Sequence, residues 1–247
     1  MTRRGSQPDE AQYWAAIHHW YATAQGEAVR TVEQQQLDQA LPRLFGYRLV
    51  QVGRTVQDDL CRQSPIRTRH LCSPLPGGDL VGRGAALPLA SDSIDLVLLH
   101  HSLEFMDDPH AVLREAERVL IAEGHLVVVG FNPWSLSTLL ERIARRPAPV
   151  TRVGLNRLAD WVRLLGFEVR TARHFHLPPP CRWLPGGERW RAWLARRCPW
   201  LGGGYILVAR KRVLALTPLR QRWRAPQTLL PGLARPTTRL QNREVER

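Results

Sequence analysis

Two nearly unbroken apolar runs frame the most legible part of this chain. Ile94-Asp95-Leu96-Val97-Leu98-Leu99 and His125-Leu126-Val127-Val128-Val129 are short and rich in β-branched residues, the pattern of strands buried on both faces. Between them Asp108-Pro109 supplies an N-cap followed by a proline at the first helical position. Leu113, Ala116 and Leu120 then recur on one face, and Gly124 is the expected helix stop. Strand, helix and strand at this spacing predict a right-handed βαβ unit and a parallel sheet.

Upstream, Trp14, Ile17, Tyr21 and Ala24 recur at helical spacing, with Gly26 as the predicted interruption. Thr31 and Gln34 have the spacing of a capping box, which predicts a second helix carrying Leu37, Leu41 and Leu44 and fraying at Pro42 and Gly46. Tyr47–Val52 reads as a strand ending at Gly53. Residues 54–84 are rich in Pro, Gly and Arg, with brief strand signals at Arg69–Cys72 and Asp79–Val81. Downstream, Leu155, Leu158, Val162 and Leu165 mark a helix that stops at Gly166, and strands are expected at Phe167–Val169 and Tyr205–Val208.

Composition narrows the classes. The 247 residues are 44% hydrophobic, enough for a substantial core, and no apolar run approaches the roughly 20 residues that span a bilayer. Met1–Glu10 is polar and unlike a secretory signal, so the cytoplasm is the expected location. Cys61, Cys72, Cys181 and Cys198 are spread without a C-x-x-C pair, so free thiols are expected.

Charge is divided unevenly. Residues 1–120 hold 12 basic and 15 acidic side chains, whereas residues 121–247 hold 23 and 7. The basic half suggests an anionic partner such as nucleic acid, or simply a solvated surface.

One block carries a family resemblance. Leu87-Pro88-Leu89-Ala90-Ser91-Asp92-Ser93-Ile94-Asp95-Leu96-Val97, then His100-His101-Ser102-Leu103-Glu104 and Asp108-Pro109, resembles the bacterial class I S-adenosylmethionine (SAM)-dependent methyltransferases of the type 11 kind. Arg118-Val119-Leu120 through Gly124-His125-Leu126 is similar to the helix-to-strand junction of the same family. The resemblance implies an α/β, Rossmann-like class I methyltransferase fold: a mostly parallel seven-stranded sheet with a reversed last strand and an N-terminal helical extension. It divides the chain into the extension (1–45), a methyltransferase-like domain (46–213) with a Trp/Arg-rich insert at 178–204, and a basic tail (214–247) expected to be disordered. SAM is the implied cofactor, lying across the carboxyl ends of the first strands, where strand order reverses.

Carried over residue by residue, Gly53 matches a glycine of the family's first motif, Ala86 and Leu87 the backbone flanking adenine, and His100 with His101 the strand end beside the transferring methyl. His100 and His101 are therefore candidate catalytic bases, and His100 also a cofactor contact. The chain departs from the family at three points. Gly53 is followed by Arg54 and Thr55 where further small residues are the rule, no acid stands in residues 66–73, and Arg83 occupies the place of an adenine-binding acid.

Asn132-Pro133-Trp134 is similar to the (N/D)-P-P-(Y/W) motif of amino-group methyltransferases, although it follows the fifth strand rather than the fourth. Asn132 and Trp134 are thus candidate acceptor-side residues, the other reading being a turn with Trp134 over the crevice. His174-Phe175-His176 could present two imidazoles, but no third ligand is near in sequence and no metal is expected. Trp183, Trp190, Trp193 and Trp200 among arginines fit a lid, a nucleic-acid surface or an interfacial helix. The implied activity is methyl transfer from SAM to a small-molecule or macromolecular acceptor. The alternative is a non-catalytic protein of this fold that binds RNA or another anion through its basic half.

Overall fold

In the computed structural model, residues 10–53, 59–74, 77–104, 106, 108–135, 151, 153–177, 197 and 202–213 are described. Seven strands form one sheet: β1 (Arg48–Val52), β2 (Thr68–Ser73), β3 (Leu80–Val81), β4 (Ile94–His100), β5 (Leu120–Phe131), β6 (Phe167–Phe175) and β7 (Gly204–Lys211). Their order is β3-β2-β1-β4-β5-β7-β6. β1 pairs in parallel with β2 and β4, and β4 with β5, while β7 runs antiparallel between β5 and β6. Order reverses between β1 and β4, the place where open α/β sheets hold their ligands. This is the expected fold, with the reversed strand in place.

The predicted βαβ unit is present. α3 (Pro109–Val119) opens on Asp108, whose carboxylate accepts from the backbone N–H groups of His110 (2.9 Å) and Ala111 (3.1 Å). Val112, Leu113, Ala116 and Val119 are its buried stripe. The helix ends five residues before Gly124, because the chain already joins the sheet at Leu120 through a register shift opposite Ile94 and Leu96. α4 (Leu155–Leu164) lies beside α3, with the His110 and Trp161 rings 3.8 Å apart.

The N-terminal helices differ from the pattern reading. α1 (Glu10–Tyr21) buries Trp14, Ile17, Trp20 and Tyr21, but Ala24 already belongs to α2 (Ala24–Ala40) and is exposed. Thr23 is the N-cap of α2, its hydroxyl accepting from Gly26 N–H at 3.2 Å. Thr31 therefore sits inside the helix and donates to the Glu27 carbonyl at 3.0 Å. Gly26 continues the helix for a packing reason: a Cβ there would lie 2.2 Å from the Trp20 carbonyl oxygen, so only glycine permits the tight α1–α2 corner. α2 passes into a 3-10 turn at Leu41–Arg43, and Leu37, Leu41 and Leu44 are all buried as expected.

Cys61 and Cys72 are buried and form no disulfide. No helix among the described residues is long and apolar enough to cross a membrane. The tail 214–247 and nearly all of the Trp/Arg insert lie outside the described residues.

Candidate functional site

Four ionisable side chains converge at the carboxyl end of β4, where the sheet order reverses. β4 ends at His100, and the chain turns sharply at His101, which takes φ = 54°. The turn returns Glu104 to the same place, and α2 brings Glu33 from above. Glu33 Oε2 lies 3.2 Å from His100 Nε2, and its Oε1 lies 3.0 Å from His101 Nε2. His101 Nδ1 meets Glu104 Oε2 at 2.8 Å. Neutral donors hold the two carboxylates: the Tyr21 hydroxyl donates to Glu33 Oε2 at 2.8 Å, and Phe131 N–H donates to Glu104 Oε1.

All four groups are sealed from water, Glu33 and His100 at 0% exposure, His101 at 1% and Glu104 at 2%. Phe131 stacks on His101 with ring centroids 4.0 Å apart, and Tyr21 lies near both histidines. Tyr205 closes the β7 side. Its buried hydroxyl finds no hydrogen-bond partner among the described residues. A Cβ on Gly130 would come 2.5 Å from that hydroxyl and 3.0 Å from Glu104 Oε1, so glycine is what lets both crowd against the strand.

The geometry sets the protonation pattern. His101 faces a carboxylate at each ring nitrogen and must carry a proton on both. Burial alone would lower its pKa, but Glu104 and Glu33 outweigh that and hold it up at about 9. Burial would raise Glu33, yet the His101 charge and the two histidine hydrogen bonds bring it down to about 2. His100 is lowered, first by burial and then by the charge of His101. Burial, with the Glu104 charge, raises Tyr205 well above the usual phenol range. His101 is thus a donor to two carboxylates in this arrangement.

The other sequence candidates are more dispersed. Gly53 ends β1 at φ = 88°, and a Cβ there would lie 2.1 Å from the Trp14 ring. Ala86 is exposed, while Leu87 is buried with its N–H donated to Glu115 Oε1 at 2.8 Å. Asn132 is 1% exposed and closes a turn: its Oδ1 accepts from Trp134 N–H at 3.1 Å and its Nδ2 donates to the Gly202 carbonyl at 2.8 Å. Trp134 is 80% exposed. With Pro133, Arg157 and His174 these two residues line a cavity of about 770 Å³ beyond β5.

Known proteins place this architecture. The family described as "Methyltransferase domain" matches residues 61–128. The uncharacterized protein YafS of Escherichia coli (strain K12) is 34% identical over 217 residues, covering 84% of this chain and 87% of its own. The chain belongs to the class I methyltransferase family.

Solved structures share its fold. A complex between the Trm112 methyltransferase activator and a methyltransferase candidate of Haloferax volcanii contains a chain with TM-score 0.59 and 19% identity, covering 84% of this chain and 98% of that one. A SAM-dependent methyltransferase from Thermotoga maritima gives 0.55 and 19%, covering 82% and 95%.

The described residues of this family member do not offer SAM the contacts usual in the family. The space beside Gly53, which a missing Cβ would leave to a ligand, is filled by Trp14. The Leu87 N–H is already taken by Glu115. Asp79, just before β3, is bound to Leu71 N–H at 2.8 Å. Sequence reasoning named His100 and His101 and missed Glu33, Glu104, Tyr21 and Tyr205. A signal was present for Glu33: with Val29 and Leu37 it occupies the i, i+4, i+8 stripe that α2 buries, a carboxylate on an apolar face.

Proposed function

We propose that this protein is a SAM-dependent methyltransferase that binds its cofactor through contacts remade around the N-terminal helices and takes its acceptor beside Asn132 and Trp134. The observation that carries this reading is the switch point between β1 and β4, kept with an intact β4–α3–β5 unit inside the family match. The cavity beyond β5 supports the acceptor side: an exposed indole, Arg157 and His174 offer an aromatic face and polar groups to a substrate. The acceptor is a small molecule or a group on a macromolecule.

Isothermal titration of the full chain with SAM and with S-adenosylhomocysteine tests the proposal. Saturable heat in the micromolar range is the expected result. No heat and no thermal shift at millimolar ligand overturns it.

A second reading rests on Trp14 seated against Gly53 and Arg83 in the place of an acid. It makes the chain a non-catalytic member of its family that binds RNA or another anion through the basic C-terminal half. Steeply salt-dependent RNA binding together with silent SAM titrations, unchanged in Arg83→Asp, is its signature.

A further inference from the structure

We propose that Glu33, His100 and His101 form a site for one divalent transition-metal ion of the zinc type, which staples the N-terminal helices to the sheet. The inference is independent of whether SAM binds.

Glu33, His100 and His101 each offer one ligand atom, a carboxylate oxygen and two imidazole nitrogens, and these atoms lie within 4.8 Å of one another. The carboxylate oxygens sit 3.0 and 3.2 Å from the two nitrogens. Ligands held about 2.0–2.1 Å from a tetrahedral Zn²⁺ lie about 3.3 Å from each other, so a small movement of the carboxylate admits the ion. Two imidazoles and one carboxylate are a donor set for zinc, cobalt or iron, and a poor one for calcium or magnesium.

The surroundings are those of a supported metal centre. Glu104 engages Nδ1 of His101 at 2.8 Å, which turns Nε2 toward Glu33 and fixes the ligating tautomer. Glu104 is itself anchored by Phe131 N–H, and Tyr21 orients Glu33. Phe131, Tyr21 and Tyr205 form an aromatic shell around the set.

Charge balance points the same way. The two imidazole rings lie side by side, their centroids 4.5 Å apart, in a set closed to solvent. Two carboxylates, two neutral imidazoles and a divalent cation sum to zero, the state that burial favours. The ion would join residues 67 and 68 positions apart in sequence, α2 to the end of β4. Metal binding would then contribute directly to the stability of the N-terminal extension.

The experiment is elemental analysis of the full-length protein, produced in zinc-supplemented medium and dialysed against metal-free buffer. Close to one zinc per chain is expected, and production in cobalt should give visible absorption bands from Co²⁺ bound at a site of low coordination number. His100→Asn and Glu33→Gln should lose the metal, whereas Glu104→Gln should keep the ligands and weaken affinity about 10–100-fold. Wild-type protein with a small fraction of an equivalent overturns the proposal, and this readout does not depend on any variant folding. A stoichiometric metal retained by folded His100→Asn and Glu33→Gln overturns it equally, because the ion then resides elsewhere. Neither readout involves SAM, so its failure is distinct from failure of the methyltransferase reading.

Discussion

The sheet carries a buried ionic cluster at each end, and the two are built on different terms. At the amino end of β4 and β5, Lys211 arrives from the end of β7. Its ammonium lies 3.0 Å from Asp92 Oδ1, 3.1 Å from Glu117 Oε1, and 2.7 and 2.8 Å from the carbonyls of Glu117 and Leu120. It is the only lysine among 35 basic residues. A compact ammonium with three donors fits between a helix C-terminus and two carboxylates in a way that a planar guanidinium does not. Here the lysine is nearly buried, but Asp92 and Glu117 reach water. At the carboxyl end, all four charged or polar rings and carboxylates are sealed. A marginal clamp passes its excess charge to solvent, whereas an enclosed set must balance charge among its own members. That difference marks the carboxyl-end cluster as the one to examine for a bound ion, and the Lys211 clamp as a device of the fold.

The sharpest way to break this comparison is to remove one member of the sealed set. Glu33→Ala leaves the His101 imidazolium paired on one side only, and a loss of about 3–5 kcal/mol is expected from urea unfolding. A loss under 1 kcal/mol would mean that water reaches the site. Gly53→Ala probes the same end through packing. It forces a Cβ into the Trp14 ring at φ = 88°, and the combined strain and overlap should cost about 2–4 kcal/mol in the same assay.

Lys211→Met tests the opposite end. Its partners can return to water, so the expected loss is smaller, about 1.5–3 kcal/mol. Lys211→Arg should not restore wild-type stability, which separates geometry from charge. The smallest effect lies in pH. His125, half-buried at the start of the apolar stretch of β5, has its pKa lowered by burial first and then by Arg210. Below pH 6.5 the unfolded chain takes up a proton there that the folded chain resists, so stability falls as pH falls. His125→Gln should flatten that slope between pH 7 and 5 by a fraction of a kcal/mol, discounted for the partial exposure of the ring. An unchanged urea midpoint profile in the variant would show that His125 does not contribute.

How much was legible varies with the range of the forces involved. Asp108-Pro109 and the two apolar runs specified β4, α3 and β5 because capping and periodicity act over a few residues. The same kind of signal misled at Thr31, whose spacing to Gln34 satisfied a capping box while Thr23 made the actual cap. The end of α3 moved to Val119 because pairing with β4 won over the local stop at Gly124. Asn132, an acceptor-side candidate in the sequence, is held in place by the Gly202 carbonyl, a partner 70 residues away that its own stretch does not announce.

The family block, the strand succession and the imbalance of charge between the two halves are local or additive properties, and the linear order of residues carries them without reference to the fold. The cluster at the switch point is of another kind. Glu33 meets His100 across 67 positions, Tyr21 meets Glu33 across 12, and Trp14 comes to rest against Gly53 only when α1 and α2 close over the sheet. Each of those groups is ordinary in its own stretch of sequence. Burial removes the water that would screen them, and only in that enclosed space do their charges, tautomers and ligand geometry become mutually determined.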